Sequence, residues 1–240
     1  AVDLARDVRG WQDKLNLIVE SRQSALTDYM QTRVEELRTL AENPSLQLYL
    51  TELDMLHEAS NTKKPTPKNE EPAQLSYLRN LLIFTADRGG YSNQSALNQI
   101  PANVERDTNG SALAVLNRSG EIIVSTSIPH TMQAYIIEQI KMMRQVLKPS
   151  LIDFSTHESG ATTLGFVVPI YPIHGEAGKE EAIGYVVGIR ALNDDFFSML
   201  KHPGLTERTL ETIIIRKSSG RIEYLSPLLD KSRPLSKTVS

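Results

Sequence analysis

The clearest chemical possibility in this sequence is Arg190, a guanidinium that ends the otherwise apolar run Ile183-Gly-Tyr-Val-Val-Gly-Ile-Arg. An arginine in that setting suits a carboxylate or another planar anion, which it can grip through paired hydrogen bonds. The alternative is a salt bridge with Asp194 or Asp195 at the end of the same segment. Near it in the expected fold, Thr156, Thr162 and Thr163 offer hydroxyl donors, Phe154 and Tyr135 an apolar wall, and Ser125 with Thr126 contacts from a hairpin. Side chains alternate across a strand, so at least half of this set must point away from any one pocket. Tyr91 is a lid residue or the anchor of its own loop.

Other chemistries find no support. With no cysteine, a disulfide framework, Cys-ligated zinc and thiol catalysis are excluded together. The lack also suits an oxidising compartment, where stray thiols are lost. His57, His130, His157, His174 and His202 are scattered, with no pair at helical spacing to converge on a metal. Ser159 and Gly160 lack the surrounding Gly-x-Ser-x-Gly turn, and no Gly-rich phosphate loop occurs. Glu180-Glu181 and Asp194-Asp195 are sequence neighbours, explained by solvated turns. We therefore expect no catalytic residues, no metal, no cofactor and no enzyme. A net charge of -3 supplies no basic surface for nucleic acid.

The elements that must position Arg190 begin with a helix from Asp3 to about Glu42, which has no proline and one glycine, Gly10. Leu4, Val8, Trp11, Leu15, Ile18, Ala25 and Tyr29 follow alternating steps of four and three, with Arg22 in one seam position, which is a heptad pattern. After Tyr29 the stripe moves to Met30, Val34, Leu37 and Ala41. The first half is thus expected to face another helix and the second half its own domain, over a rod of about 60 Å. Asn43-Pro44 breaks the helix, a shorter one runs from Ser45 to His57, and Ala59 to Pro72 reads as a polar loop. A third helix spans Ala73 to Ala86, with Leu75, Leu78, Leu82 and Ile83 on one face, and Asp87-Arg88-Gly89-Gly90 stops it.

Beyond this point short β-rich runs take over. Ala112 to Leu116 and Glu121 to Thr126 flank Asn117-Arg118-Ser119-Gly120 as a hairpin. An amphipathic helix follows from Thr131 to Leu147, then strands at Leu151 to His157, Thr162 to Tyr171 and Ala182 to Ala191, and a short helix at Asn193 to Leu200. The pattern predicts an α+β fold: a five-stranded antiparallel sheet, half covered, from which the long helix projects. Thr212 to Arg216 and Arg221 to Leu225 around Lys217-Ser218-Ser219-Gly220 repeat the earlier hairpin, so a second, truncated module is expected to begin near Glu211. The domain reading is 1–58 for the first two helices, 59–200 for the sensor module, and 205–240 for the start of the second. No run is long and apolar enough to span a membrane, and the chain reads as a fragment of a longer protein.

The long helix, the hairpin Leu113 to Thr126, the pair Gly165-Phe-Val-Val-Pro-Ile-Tyr-Pro and Ile183-Gly-Tyr-Val-Val-Gly-Ile-Arg, and the restart at Thr212 together resemble the double Cache family. These are PAS-like extracytoplasmic sensors of histidine kinases, chemotaxis receptors and diguanylate cyclases. The resemblance covers nearly the whole chain. It implies a periplasmic or extracellular location, a small-molecule ligand held between the sheet and the helix and loops that cover it, and a homodimer through the N-terminal helix. It also implies a membrane-anchored parent with any catalytic output on the cytoplasmic side. The signature of the amino-acid-binding branch, Tyr/Arg-x-Trp-Tyr/Asp, is absent, and Trp11, the only tryptophan, lies on the long helix. Arg190 stands where that branch carries its ligand aspartate, so an amino acid held through its ammonium group is not implied. The rival expectation is an interaction or scaffold domain without a small-molecule site, in which Phe154, Phe166 and Tyr185 fill the core.

Overall fold

Forty residues without a proline allow one uninterrupted helix, and α1 runs over Val2–Ala41. In the computed structural model the described residues are 2–62, 72–91, 111–126, 136–138, 140–141, 149–156, 162–173, 181–201, 211–218, 220–226 and 236–238. The chain divides into two compact units, Arg33–Ala191 and a second made of Ala1–Thr32 with Leu192–Ser240.

Three helices open the first unit. The last turns of α1 bury Leu37, Leu40 and Ala41. α2 covers Pro44–Thr62; its start is fixed by Asn43, whose Oδ1 accepts from the backbone N–H groups of Ser45 and Leu46, with Pro44 in the first helical position. The expected end at His57 is too early. Glu58, Ala59 and Ser60 all tolerate helix and no proline occurs before Pro65, so the helix continues through Ala59 to Thr62; the rest of the expected loop up to residue 71 lies outside the described residues. α3 covers Ala73–Gly89, three residues beyond the expected Ala86. It stops at Gly90, which adopts φ 70°, while the Tyr91 N–H bonds back to the Ala86 carbonyl at 2.9 Å.

The five-stranded sheet consists of β1 (Ala112–Asn117), β2 (Ile122–Ser125), β3 (Ser150–Thr156), β4 (Thr162–Ile170) and β5 (Gly184–Ala191), in the order β2-β1-β5-β4-β3. Every pairing is antiparallel. The connections explain the order. A tight hairpin joins β1 to β2, a segment whose residues 136–138 and 140–141 are helical leads to β3, and a meander brings β5 back against β1. The hairpin closes on Gly120 at φ 88°, and the Asn117 amide braces it by accepting from the Glu121 N–H and donating to the Glu121 carboxylate. The fold is α+β, as the sequence pattern predicts.

The sheet is covered on both faces, which corrects the half-covered expectation. One face joins Ala112, Ala114, Leu116, Ile152, Val167, Tyr185, Val187 and Ile189 to Ile136 and Ile140 of the helical segment. The alternate residues, Leu113, Val115, Leu164, Phe166, Val168 and Val186, are buried as well. Gly184 and Gly188 show why. A Cβ on Gly188 would lie 2.9 Å from a Leu37 methyl and 3.0 Å from the Tyr91 ring, and one on Gly184 would strike Leu50 and the Leu116 carbonyl. Two glycines four residues apart on one face of β5 thus let α1, α2 and Tyr91 settle directly on the backbone. β4 is the clearest case of a strand with no solvent face, buried from Thr163 to Ile170.

In the second unit, α4 (Asp194–Ser198) starts at Asn193, whose Oδ1 accepts from the Phe196 N–H at 3.1 Å. Tyr29 meets Phe196 edge-on with ring centroids 5.0 Å apart, an Arg22 Nη1 donates to the Met199 carbonyl, and Ile18 is buried. Packing of α1 on its own chain therefore begins at Ile18 rather than after Tyr29. Val8, Trp11 and Leu15 remain exposed, and the seam positions from Ile18 onward pack on their own chain. β6 (Ile215–Ser218), β7 (Arg221–Tyr224) and β8 (Ser236–Thr238) form a separate antiparallel sheet in that order, turning on Gly220 at φ 77°.

Candidate functional site

The register of the sheet sorts the residues singled out in the sequence. Leu164 pairs with Arg190 and Thr163 with Ala191, so Arg190 and Thr163 point to opposite faces. Arg190 shares its face with Phe166 and Gly188, toward the end of α3. Thr163 lies on the face crossed by Ile136 and Ile140, and is 1% exposed. Ser125 pairs with Ala114, which puts it on that second face too, at the exposed edge of β2. Thr126 is spent on the hairpin, since its hydroxyl accepts from the Leu113 N–H at 2.9 Å. Thr156 pairs with Thr162, and Phe154 falls in the irregular stretch between Ile152 and Ser155. Tyr135 lies outside the described residues.

Arg190 has a partner that the sequence did not suggest. Its Nη1 donates to the Gly89 carbonyl at 2.6 Å, and the guanidinium carbon lies 5.8 Å from the centre of the Tyr91 ring. Gly89 ends α3, where unpaired carbonyls give the helix its negative pole, and a cation there is favourable. The cap also needs glycine at position 90: the φ is positive, and a Cβ would lie 2.8 Å from an Arg190 guanidinium nitrogen. Tyr91, 1% exposed, is a buried anchor between this corner and Gly188, so the lid reading gives way to the anchor reading.

The other face has a different chemistry. Ala112, Ala114, Val167, Val187 and Ile189 form an apolar floor, with Ile152 seated over Gly165 and polar groups at its two ends. Thr163 stands at one end. At the other, Tyr185 is buried and Tyr171 is half-buried against the same cluster. Burial, and the nearby Tyr185 phenol, push the Tyr171 hydroxyl above its ordinary pKa of 10.0. Tyr185 and the position paired with Thr163 are six residues apart on β5, about 20 Å at strand rise. Hydroxyls flanking an apolar floor suit a small molecule with an apolar body and hydrogen-bonding ends better than a bare anion. The tyrosines were missed in the sequence because each reads as ordinary strand filling; the signal was that Tyr185, like Val187 and Ile189, falls on the odd-numbered face of β5.

Among the described residues no group of three or more His, Asp or Glu side chains could hold a metal ion, and no helix is long and apolar enough to cross a membrane. No family model matches the sequence, and no curated protein does. Among solved structures, the chain is similar to an extracellular ligand binding receptor from Desulfohalobium retbaense DSM5692, at 15% identity over 53% of this chain and 25% of that one, with a TM-score of 0.25. The chain spans about a quarter of that protein's length. A likeness this distant carries no argument about function.

Proposed function

We propose that this chain is an extracytoplasmic ligand-sensing region of a bacterial transmembrane receptor of the double Cache kind, with residues 33–191 holding a small molecule on the face crossed by Ile136 and Ile140. The observation that carries the reading is the two-sided sheet: three helices occupy one face, and the other combines an apolar floor with hydroxyls from Thr163, Tyr171 and Tyr185. Thr163 and Ser125 are the contacts from the earlier set on that face, and Tyr135 and Phe154 are proposed to complete it; Thr156 pairs with Thr162, one residue from Thr163, and so falls on the face of Arg190 and drops out of the set. Arg190 belongs to the opposite face, and its part is to hold α3 against β5, or to meet an anion that reaches the α3 corner. Val8, Trp11 and Leu15, exposed at heptad spacing, supply the homodimer seam at the start of α1. In this reading binding shifts a balance between helix arrangements, and any enzymatic output lies in a cytoplasmic domain of the parent.

A thermal-shift screen of the chain against pooled metabolites tests this. A ligand at about 100 times its dissociation constant adds about 2.7 kcal/mol, which for a domain of this size raises Tm by about 5–10 °C. Thr163→Val is expected to abolish that shift and Arg190→Ala to leave it in place. Pools that stabilise nothing would end the sensor reading.

One observation favours a scaffold domain instead. Among the described residues of the first unit the buried hydroxyl-bearing side chains are Ser111, Thr163, Tyr91 and Tyr185, and both faces are otherwise filled by apolar side chains. The same screen separates the two readings.

A further inference from the structure

Register sorts the residues of the β6–β7–β8 sheet onto two sides. Ile215 pairs with Tyr224 and Lys217 with Ile222, so these four share one side, which Ile213 extends by one alternation; Ile214, Arg216, Glu223 and Leu225 take the other. The second side is the covered one. Leu225 is buried there, and the two charges, Arg216 and Glu223, are paired with each other. The first side opens to solvent: Ile213 and Ile215 are 37% and 52% exposed, and Lys217 is exposed with no acidic partner among the described residues. Ile222 pairs with Lys217 on β6 and with Lys237 on β8. Every charged residue at a paired position on this side is therefore a lysine.

Charge is spread unevenly along the chain. Residues 201–240 hold eight lysines and arginines against four acids, a net +4, whereas the whole chain carries -3 and its first 200 residues therefore -7. An apolar patch edged with lysines, on the basic segment of an acidic chain, is complementary to a surface that is negative on top and apolar beneath, which is the headgroup layer of an anionic bilayer. Isoleucines can sink below the headgroups, lysine stems follow them while the ammonium groups stay at phosphate level, and a tyrosine ring is amphipathic in the same sense. The acidic remainder is repelled by the same surface, which leaves this segment to make the contact. A protein partner is met by charges of both signs around an apolar centre; here the charged positions are of one sign, as a uniformly negative surface requires. We propose that the Ile213, Ile215 and Tyr224 side of β6 and β7 is a docking surface for an anionic membrane, on which the chain lies without entering the bilayer core. The surface does not depend on residues 33–191 holding a ligand.

Flotation of the full chain with vesicles of mixed phosphatidylglycerol and phosphatidylcholine, against vesicles of phosphatidylcholine alone, tests this. In low salt the chain is expected to float with the anionic vesicles and stay behind with the neutral ones, and raising NaCl from about 50 to 200 mM should release most of it. Ile215→Glu and Lys217→Glu should each lower the partition coefficient at least about tenfold with an unchanged circular dichroism spectrum, since both side chains are exposed. Ile215→Leu and Lys217→Arg should keep it. A chain that ignores anionic vesicles overturns the proposal, as does binding that is equal on neutral vesicles or indifferent to both glutamate substitutions. Poly-glutamate bound through Lys217 while vesicles are ignored would likewise overturn it, and would reassign the surface to an acidic protein.

Discussion

Leu113 to Ile123 and Ile213 to Glu223 carry the same plan, two short strands around a turn ending in Ser-Gly, and they meet different fates. Both turns close on a glycine in the left-handed region, Gly120 at φ 88° and Gly220 at φ 77°. Yet β1 is buried from Ala112 to Leu116, while Ile213 and Ile215 are 37% and 52% exposed. Gly120 sits under Ile140, and Gly220 faces open space. The difference is in the neighbours. β1 lies between β2 and β5, with helices over both faces, whereas β6 is an edge strand paired with β7. Turn geometry is a local property of some ten residues; burial is decided by segments far away in the chain.

That contrast can be broken by substitution. Leu116→Ala, deep in the five-stranded sheet, should cost about 2–5 kcal/mol in urea unfolding, and Ile215→Ala about 0.5 kcal/mol. Equal losses would mean that the two hairpins share one level of burial after all. Gly120→Ala and Gly220→Ala should each cost about 1 kcal/mol, because both force a side chain into the left-handed region. A new Cβ at Gly120 meets Ile140 at 3.6 Å, an ordinary contact, so packing should not separate them. A Gly120→Ala loss several times that of Gly220→Ala would show that the turn is not the local unit it is taken to be.

The smaller effects sharpen the comparison. β6–β7 carries a cross-strand charge pair, Arg216 with Glu223, where β1–β2 relies on the neutral Asn117 amide. Both charged partners are about a third exposed or less, and a double-mutant cycle should give a coupling of about 0.5–1 kcal/mol that shrinks in high salt. A coupling that salt leaves untouched would mark it as a packing contact. The smallest effect lies at Tyr171. Burial favours its neutral phenol, so its share of stability is complete below the ordinary pKa of 10.0 and is lost as pH rises through the higher folded value. Phenolate absorbance should show one step above the ordinary range that Tyr171→Phe removes; titration of all tyrosines together would contradict this.

The legible parts of the fold were those written in a few adjacent residues. Asn-Arg-Ser-Gly gave the hairpin, Gly89-Gly90 the end of α3, Asn43-Pro44 the break between the first helices, and Asn193 the start of α4. What failed depended on distant contacts. The heptad from Leu4 to Tyr29 is continuous in sequence, and nothing in it says that Ile18 and Tyr29 pack on their own chain while Trp11 does not. Gly184 and Gly188 read as ordinary members of the strand Ala182 to Ala191, and nothing local says that their spacing admits Leu37 and Leu50 and so covers the second face. Arg190 was correctly marked as a cation on an apolar strand, but its partner is a backbone carbonyl 101 residues away, which no local pattern encodes. β8 is three polar-rich residues without alternation, below the threshold of any strand signal.

The pairing of Arg22 with Met199 spans 177 residues, and it sets an order of events during synthesis. At about 5–20 residues per second, the first half of α1 leaves the ribosome roughly 10–35 seconds before α4 exists to receive it. Residues 33–191 can close their sheet in that interval, while Ile18 and Tyr29 wait uncovered. The apolar surface around Ile18 and Tyr29 is therefore completed only after α4 has been made, however early its own residues appear.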